Sequence, residues 1–177
     1  MKSDLVGRIA LAITVGCLVM VGLTVGALAT PAGRARMGLA PAPAPSYAVG
    51  ARIDVPASVY DASPYTVVLF ARSDCGVCQQ SKPWLAALTT ALQRQSTVRV
   101  VMIASGEHLS DEVQYAADLG IGRDRVVPLA PRALKARLVP SLVLVDRQGV
   151  VRYSQEGVPR ADQGTVLTAM RSHIPTR

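Results

Sequence analysis

The stretch YTVVLFARSDCGVCQQSKP, residues 65–83, joins a strand pattern to a pair of cysteines. Tyr65 to Ala71 is a continuous apolar and β-branched run, as in a strand buried on both faces. It breaks at the polar Arg72-Ser73-Asp74, and Cys75 and Cys78 follow at C-x-x-C spacing. Beyond them Trp84, Leu85, Leu88 and Leu92 recur at helical spacing. Pro83 lies within that pattern, so the helix kinks there or is entered through it. The cysteines thus fall where a strand gives way to a helix. At a helix N-terminus the free N–H groups and the macrodipole favour negative charge, and the thiolate is the reactive form of cysteine. Three residues apart on a helix, the two sulfurs lie close enough to open and close a disulfide. Cys75 is the expected exposed attacker and Cys78 the more buried resolver.

Other uses of the pair need other partners. Structural zinc takes four ligands, usually with a second cysteine pair or a histidine pair. Outside the motif the chain offers only His108 and His173, neither beside another ligand, and both read as surface residues. Zinc is therefore disfavoured and no metal is expected in the leading reading. Copper held by the dithiol, with His108 as a further ligand, stands as an alternative. So does an inert packed pair. A static disulfide closes too small a loop to stabilise much.

Two more apolar runs, VRVVMIA (98–104) and SLVLVD (141–146), read as buried strands. Ser110 to Leu119 reads as a helix with Ser110 as N-cap and Asp111 and Glu112 in its first turn. Pro131 to Arg137 reads as a short helical piece. The turn RQG and the run VVRYSQ (150–155) make a hairpin with the third strand. Ala161 to Ile174 closes the chain as an amphipathic helix, and residues 47–60 add a short strand or hairpin in front. The alternation of strands and helices predicts an α/β domain over 47–177.

The N-terminal part is built differently. After a short basic lead, residues 1–8, Ile9 to Ala29 carry no charge and no proline. At 1.5 Å per residue this run spans about 31 Å, the thickness of a bilayer core. Ala27-Leu28-Ala29 is an A-x-A pattern that a signal peptidase would cut, leaving a secreted or periplasmic domain. The run is longer than a signal peptide's apolar region, which favours a retained anchor. Cys17 reads as a packing or lipid-facing residue rather than a lipidated one, because Thr14 is a poor residue ahead of it. Gly22 and Gly26 form a G-x-x-x-G that lets two such helices approach, a weak pointer that leaves the oligomeric state open. Basic residues flank the run on both sides, so charge barely sets orientation. The short basic lead favours placing the bulk of the chain outside the cytoplasm. Residues 30–46, rich in alternating Ala and Pro, favour polyproline II and reach on the order of 50 Å when extended. They read as a spacer between membrane and domain.

The net charge is +7, but from Tyr47 onward 15 basic residues face 11 acidic ones, scattered and without a patch. Nucleic-acid binding needs a basic stripe and is not expected.

Pro140, in RLVPSLVLVD, stands immediately before the third strand, a position where a sheet tolerates proline. With this proline and the cysteine pair together, residues 47–175 resemble the TlpA-like, membrane-anchored thiol–disulfide oxidoreductases of the thioredoxin fold. That resemblance implies a central mixed sheet flanked by helices and a cis proline, Pro140, facing Cys75 and Cys78. It also implies that the backbone of Val139 hydrogen-bonds an incoming peptide. Pro83 and Gly157 match the family's proline and glycine, and Gly76-Val77 occupies the inter-cysteine position that tunes the potential. The implied cofactor is none beyond the Cys75–Cys78 disulfide. Implied partners are exported protein clients, such as an apocytochrome c, and a membrane thiol electron donor. The chain departs from the family pattern at three places. Asp74 replaces an aromatic residue and opposes a thiolate on Cys75, with Arg72 available to offset it. Leu69 replaces a buried acid, and Ser81 replaces an acidic residue. The departures leave the direction of exchange open between reductase and oxidase or isomerase.

Overall fold

The computed structural model describes Cys17 and residues 46–130, 135–158 and 162–174. The chain divides into two units, Met1–Pro43 and Ala44–Arg177, and the fold concerns the second. Apart from Cys17, the expected membrane segment lies outside the described residues. Among the described residues no helix is long and apolar enough to cross a membrane.

Five strands form one mixed sheet: β1 (Tyr65–Phe70), β2 (Val98–Ala104), β3 (Val126–Pro128), β4 (Ser141–Asp146) and β5 (Val151–Glu156). Their order is β3-β2-β1-β4-β5. β1 runs parallel to β2 and antiparallel to β4. Because side chains alternate along a strand, Val67 and Leu69 of β1 face one way and Val68 and Phe70 the other. Both sets are buried, each in its own core. This is why the central strands read as unbroken apolar runs.

The first core is covered by α2 (Lys82–Gln93) through Leu85, Leu88 and Leu92, by α3 (Leu109–Asp118) through Tyr115 and Ala116, and by α4 (Gln163–Arg171) through Val166 and Met170. A short helix α1 (Gly76–Gln80) precedes α2 and carries the cysteines. Pro83 stands in the first turn of α2, where its missing N–H costs nothing. The helix is therefore entered through Pro83, one of the two expected outcomes, and the short helix with the cysteines is parted from it at Ser81.

The second core lies under the N-terminal segment, with Tyr47, Ile53, Val55, Val59 and Tyr60 packed on Phe70, Ile103 and Val143. Tyr47 stacks on Phe70 with ring centroids 5.3 Å apart. Residues 47–60 were expected to form a strand or hairpin and form neither. Arg52 makes one bridge to Val150, and Ala57–Val59 is a single 3-10 turn. The chain turns at Gly50, where φ is +87°, and Pro56 has no N–H to offer, so pairing cannot extend.

Other boundaries also move. α3 begins at Leu109, with the Glu112 N–H bonded to the His108 carbonyl at 3.0 Å. His108, not Ser110, holds the cap position and makes no side-chain cap there. Glu112 is buried and accepts from the Ser105 N–H at 2.7 Å and the Ser105 hydroxyl at 2.8 Å. α4 starts one residue after Asp162, whose carboxylate accepts the Thr165 N–H at 3.0 Å. Residues 131–134 of the expected helical piece, and Ala161, lie outside the described residues, and Lys135–Arg137 has no regular structure. The edge strand β3 was not expected. Its two valines are flanked by arginine and proline, too short a run to show alternation, and an edge tolerates Pro128.

Asp146 closes the β4–β5 turn. Its carboxylate accepts the N–H groups of Gln148 and Val150, each at 2.9 Å, and pairs with Arg152 at 2.6 Å. Burial pushes this carboxyl up, but the Val150 N–H, Arg152 and the Gln148 N–H together hold it below the usual aspartate value. A depressed carboxyl contributes stability that is complete above its unfolded value, near 3.9, and is lost as pH falls through the lower folded value. Asp146→Asn is expected to cost about 1–3 kcal/mol at neutral pH. It should also flatten the acid limb of a urea-denaturation series below about pH 4. An unchanged acid limb would assign that limb to other carboxyls.

Candidate functional site

The C-terminal end of β1 and the N-terminal end of β4 meet because the two strands are antiparallel, with Phe70 opposite Ser141. The segment leaving β1 carries Cys75, and the segment arriving at β4 carries Val139 and Pro140. Residues 64 positions apart therefore touch: Cys75 Sγ lies 4.0 Å from the Val139 carbonyl oxygen. The Val139–Pro140 peptide bond is cis. The Ser141 hydroxyl donates to the Leu138 carbonyl at 2.5 Å and pins this turn. Leu138 itself is exposed, and Pro140 is buried.

Cys75 is the N-cap of α1. Its Sγ accepts the Cys78 N–H at 3.2 Å, so the sulfur takes the place a serine or aspartate oxygen holds at an ordinary helix start. Charge on that sulfur faces the Cys78 N–H. Cys75 is half-buried, Cys78 is fully enclosed, and both are free thiols. Burial, and then the hydrogen bond with Cys75, push the Cys78 thiol up to about 12. The two sulfurs are thus unequal in exposure and surroundings.

Between them Gly76 and Val77 face solvent, and a Cβ at Gly76 would meet nothing within 4 Å. On the other flank Arg72 answers Asp74. Its Nε and Nη2 lie 2.9 Å and 2.6 Å from the two carboxylate oxygens. The Arg72 guanidinium holds the Asp74 carboxyl below its usual value, and Asp74 raises Arg72 in return. Asp74 therefore presents to Cys75 a paired dipole rather than a bare charge. As an exposed pair it adds little stability, and its consequence is electrostatic.

Leu69 is fully buried in the first core, so no acid lies beneath the pair at that place. Ser81 donates to the Val77 carbonyl at 2.6 Å, at the break between α1 and α2. Tyr115, which the sequence did not single out, donates its hydroxyl to the Cys78 carbonyl at 2.8 Å and ties α1 to α3. Burial pushes the Tyr115 phenol well above its usual value, which keeps it a donor. Lys82 lies 5.1 Å over the Tyr115 ring and pairs with Asp118 at 2.8 Å. A lone tyrosine on a helix has no signature beyond apolar periodicity, so this role could not be read ahead of the fold.

His108 and His173 are both exposed. His108 lines a polar cleft with Asp74, Lys82 and Asp118 on the α3 side of the motif. Among the described residues no three His, Cys, Asp or Glu side chains gather as a metal site.

No family model matches the chain, and no curated protein matches it. Solved structures do. A chain assigned as the thiol:disulfide interchange protein DsbE of Chlorobium tepidum superposes with a TM-score of 0.56 at 20% identity, covering 73% of this chain and 99% of that one. A chain assigned as a protein disulfide isomerase of Bacteroides thetaiotaomicron gives 0.54 at 15% identity, covering 72% and 91%. The thioredoxin domain of a thiol-disulfide oxidoreductase of Bacteroides vulgatus gives 0.53 at 13% identity, covering 72% and 99%. At such identities the likeness is one of fold: the described residues between 46 and 174 form a thioredoxin-like domain.

The inequality of the sulfurs has a direct consequence. With Cys75→Ser, alkylation of Cys78 by iodoacetamide at pH 8 should remain slow, because burial, the largest cause that raises this thiol and also shields it from the reagent, persists in the variant. With Cys78→Ser, Cys75 should be alkylated readily. Equal rates for the two variants would contradict the assignment of roles.

Proposed function

We propose that this chain is a membrane-anchored thiol–disulfide oxidoreductase, facing outside the cytoplasm, that reduces disulfides of exported proteins. The observation that carries the reading is Cys75 itself. Its half-exposed sulfur caps a helix beside the Val139 carbonyl, with an enclosed thiol three residues on. The names borne by the structural neighbours agree with this chemistry.

The exchange is a two-electron transfer. The Cys75 thiolate attacks one sulfur of the client disulfide, the client S–S bond breaks, and the departing client thiolate takes a proton. Cys78 then gives up its proton and attacks Cys75 Sγ, releasing the second client thiol and leaving a Cys75–Cys78 disulfide. Reduction by a donor dithiol runs these steps in reverse: the donor thiolate attacks Cys75 Sγ, the Cys75–Cys78 bond breaks and Cys78 takes a proton, and the donor's second thiol then closes the donor disulfide and frees Cys75. By its resemblance the donor is a membrane thiol transporter. Residues 9–29 supply the anchor and residues 30–46 the spacer. No resident cofactor is required. Oxidation or isomerisation of clients would use the same two sulfurs at a different potential. Copper delivery would rest on the dithiol, without a third ligand gathered beside it among the described residues.

A trapping experiment tests the proposal. In cells making the full chain with Cys78→Ala, Cys75 should accumulate mixed disulfides with exported proteins that dissolve in dithiothreitol. Cys75→Ala should accumulate none. Adducts of cytoplasmic proteins alone would overturn the location, and the absence of adducts from both variants would overturn the activity.

A further inference from the structure

On the face of the sheet opposite the helices, a cleft of about 190 Å³ opens beside the cysteine pair. Its floor is apolar, made by Phe70, Ile103, Leu129, Ala136 and Val139, and Arg72 and Arg137 stand at its rim. Two of these residues flank the attacking sulfur. The Val139 carbonyl is 4.0 Å from Cys75 Sγ, and Arg72 is held by Asp74, the residue before Cys75. The cleft is thus continuous with the place where a client disulfide must arrive. It is smaller than the roughly 300–1,000 Å³ of a small-molecule site, and suits one bulky side chain. Its charge is asymmetric. Arg72 is spent on Asp74, whereas Arg137 is exposed and has no carboxylate partner among the described residues. Two exposed apolar side chains lie next in sequence to this region: Leu138, 53% exposed, precedes Val139, and Val77, 51% exposed, lies between the cysteines.

We infer that this cleft is a specificity pocket for protein clients. It takes a bulky apolar side chain within one or two residues of the client cysteine, and Arg137 meets a carboxylate further along the same segment. An extended chain advances about 3.3–3.6 Å per residue, so the neighbour of a cysteine held at Cys75 reaches the cleft beside Val139. The inference rests on the exchange activity proposed above and adds which clients that activity favours.

The test uses short peptides whose single cysteine is a mixed disulfide with 2-nitro-5-thiobenzoate. Attack of the reduced protein's Cys75 on the peptide sulfur breaks that bond and releases the coloured thiolate. Cys78 then frees the peptide thiol and closes the protein disulfide. With leucine beside the cysteine the rate should exceed that with glycine by about tenfold, the scale of burying one aliphatic side chain. A distal aspartate should beat a lysine by about threefold at low salt, and less as salt is raised. Ala136→Phe should fill the cleft and erase the leucine preference. Arg137→Glu, a surface change that leaves the core intact, should invert the charge preference. Hydroxyethyl disulfide, neutral and too small to use the cleft, reports the exchange activity alone. Equal rates across the peptides, with hydroxyethyl disulfide still reduced, would overturn the pocket and leave the activity standing. If oxidised glutathione outran every peptide, the cleft would belong to an acidic small thiol and the inference would fall. If the protein reduced none of these disulfides, the activity and the pocket would fall together.

Discussion

The site depends on one register. β1 and β4 pair antiparallel with Phe70 opposite Ser141, and this alone brings the loop that ends in Cys75 against the turn that carries Val139 and Pro140. A strand slip of one residue would exchange the two faces of the sheet. It would send Val67 and Leu69 toward the N-terminal segment and carry Val139 away from the sulfur. Burial on both faces guards against such a slip, because each face of β1 fills a different core. The second core, built on Tyr47, Ile53 and Tyr60, is therefore part of the functional architecture although it lies far from the cysteines in sequence.

Around that register the local chemistry separates the two thiols. Cys75 stays half-buried with its Sγ accepting the Cys78 N–H, and Cys78 loses water and is pushed up to about 12. The carboxylate of Asp74, the least favourable neighbour in the motif, is neutralised by Arg72 at 2.6 Å. With Leu69 in the place of a buried acid, Tyr115 supplies the interior polar contact, to the Cys78 carbonyl. That bond fixes the short helix; it does not replace a proton carrier. Under the proposed exchange Cys75 attacks and Cys78 resolves, and the proton that Cys78 gives up leaves by another way than the Leu69 side chain.

Much of this was legible in the residues. Continuous apolar runs marked β1, β2 and β4, and the cysteine spacing at a strand end marked where the candidate site forms. Pro140 before a strand was readable as tolerated there, and its place opposite Cys75 came from the family resemblance. What was not legible is instructive in each case. β3 is an edge of three residues with no periodicity to read. The segment from Tyr47 to Tyr60 packs as irregular chain, which leaves no repeating pattern. The start of α3 shifted because Ser110 offered a good cap that the backbone did not use. Tyr115 and Arg137 acquire meaning only from what the fold sets beside them.

The most direct measurement is the reduction potential of the Cys75–Cys78 pair in the protein equilibrated in dithiothreitol and glutathione buffers. A reductant of exported clients should show a two-electron transition near or below about −270 mV, the value of thioredoxin. A value near about −120 mV, that of strongly oxidising members of the fold, would contradict the reducing role. The absence of any disulfide across the whole range would contradict the redox account itself.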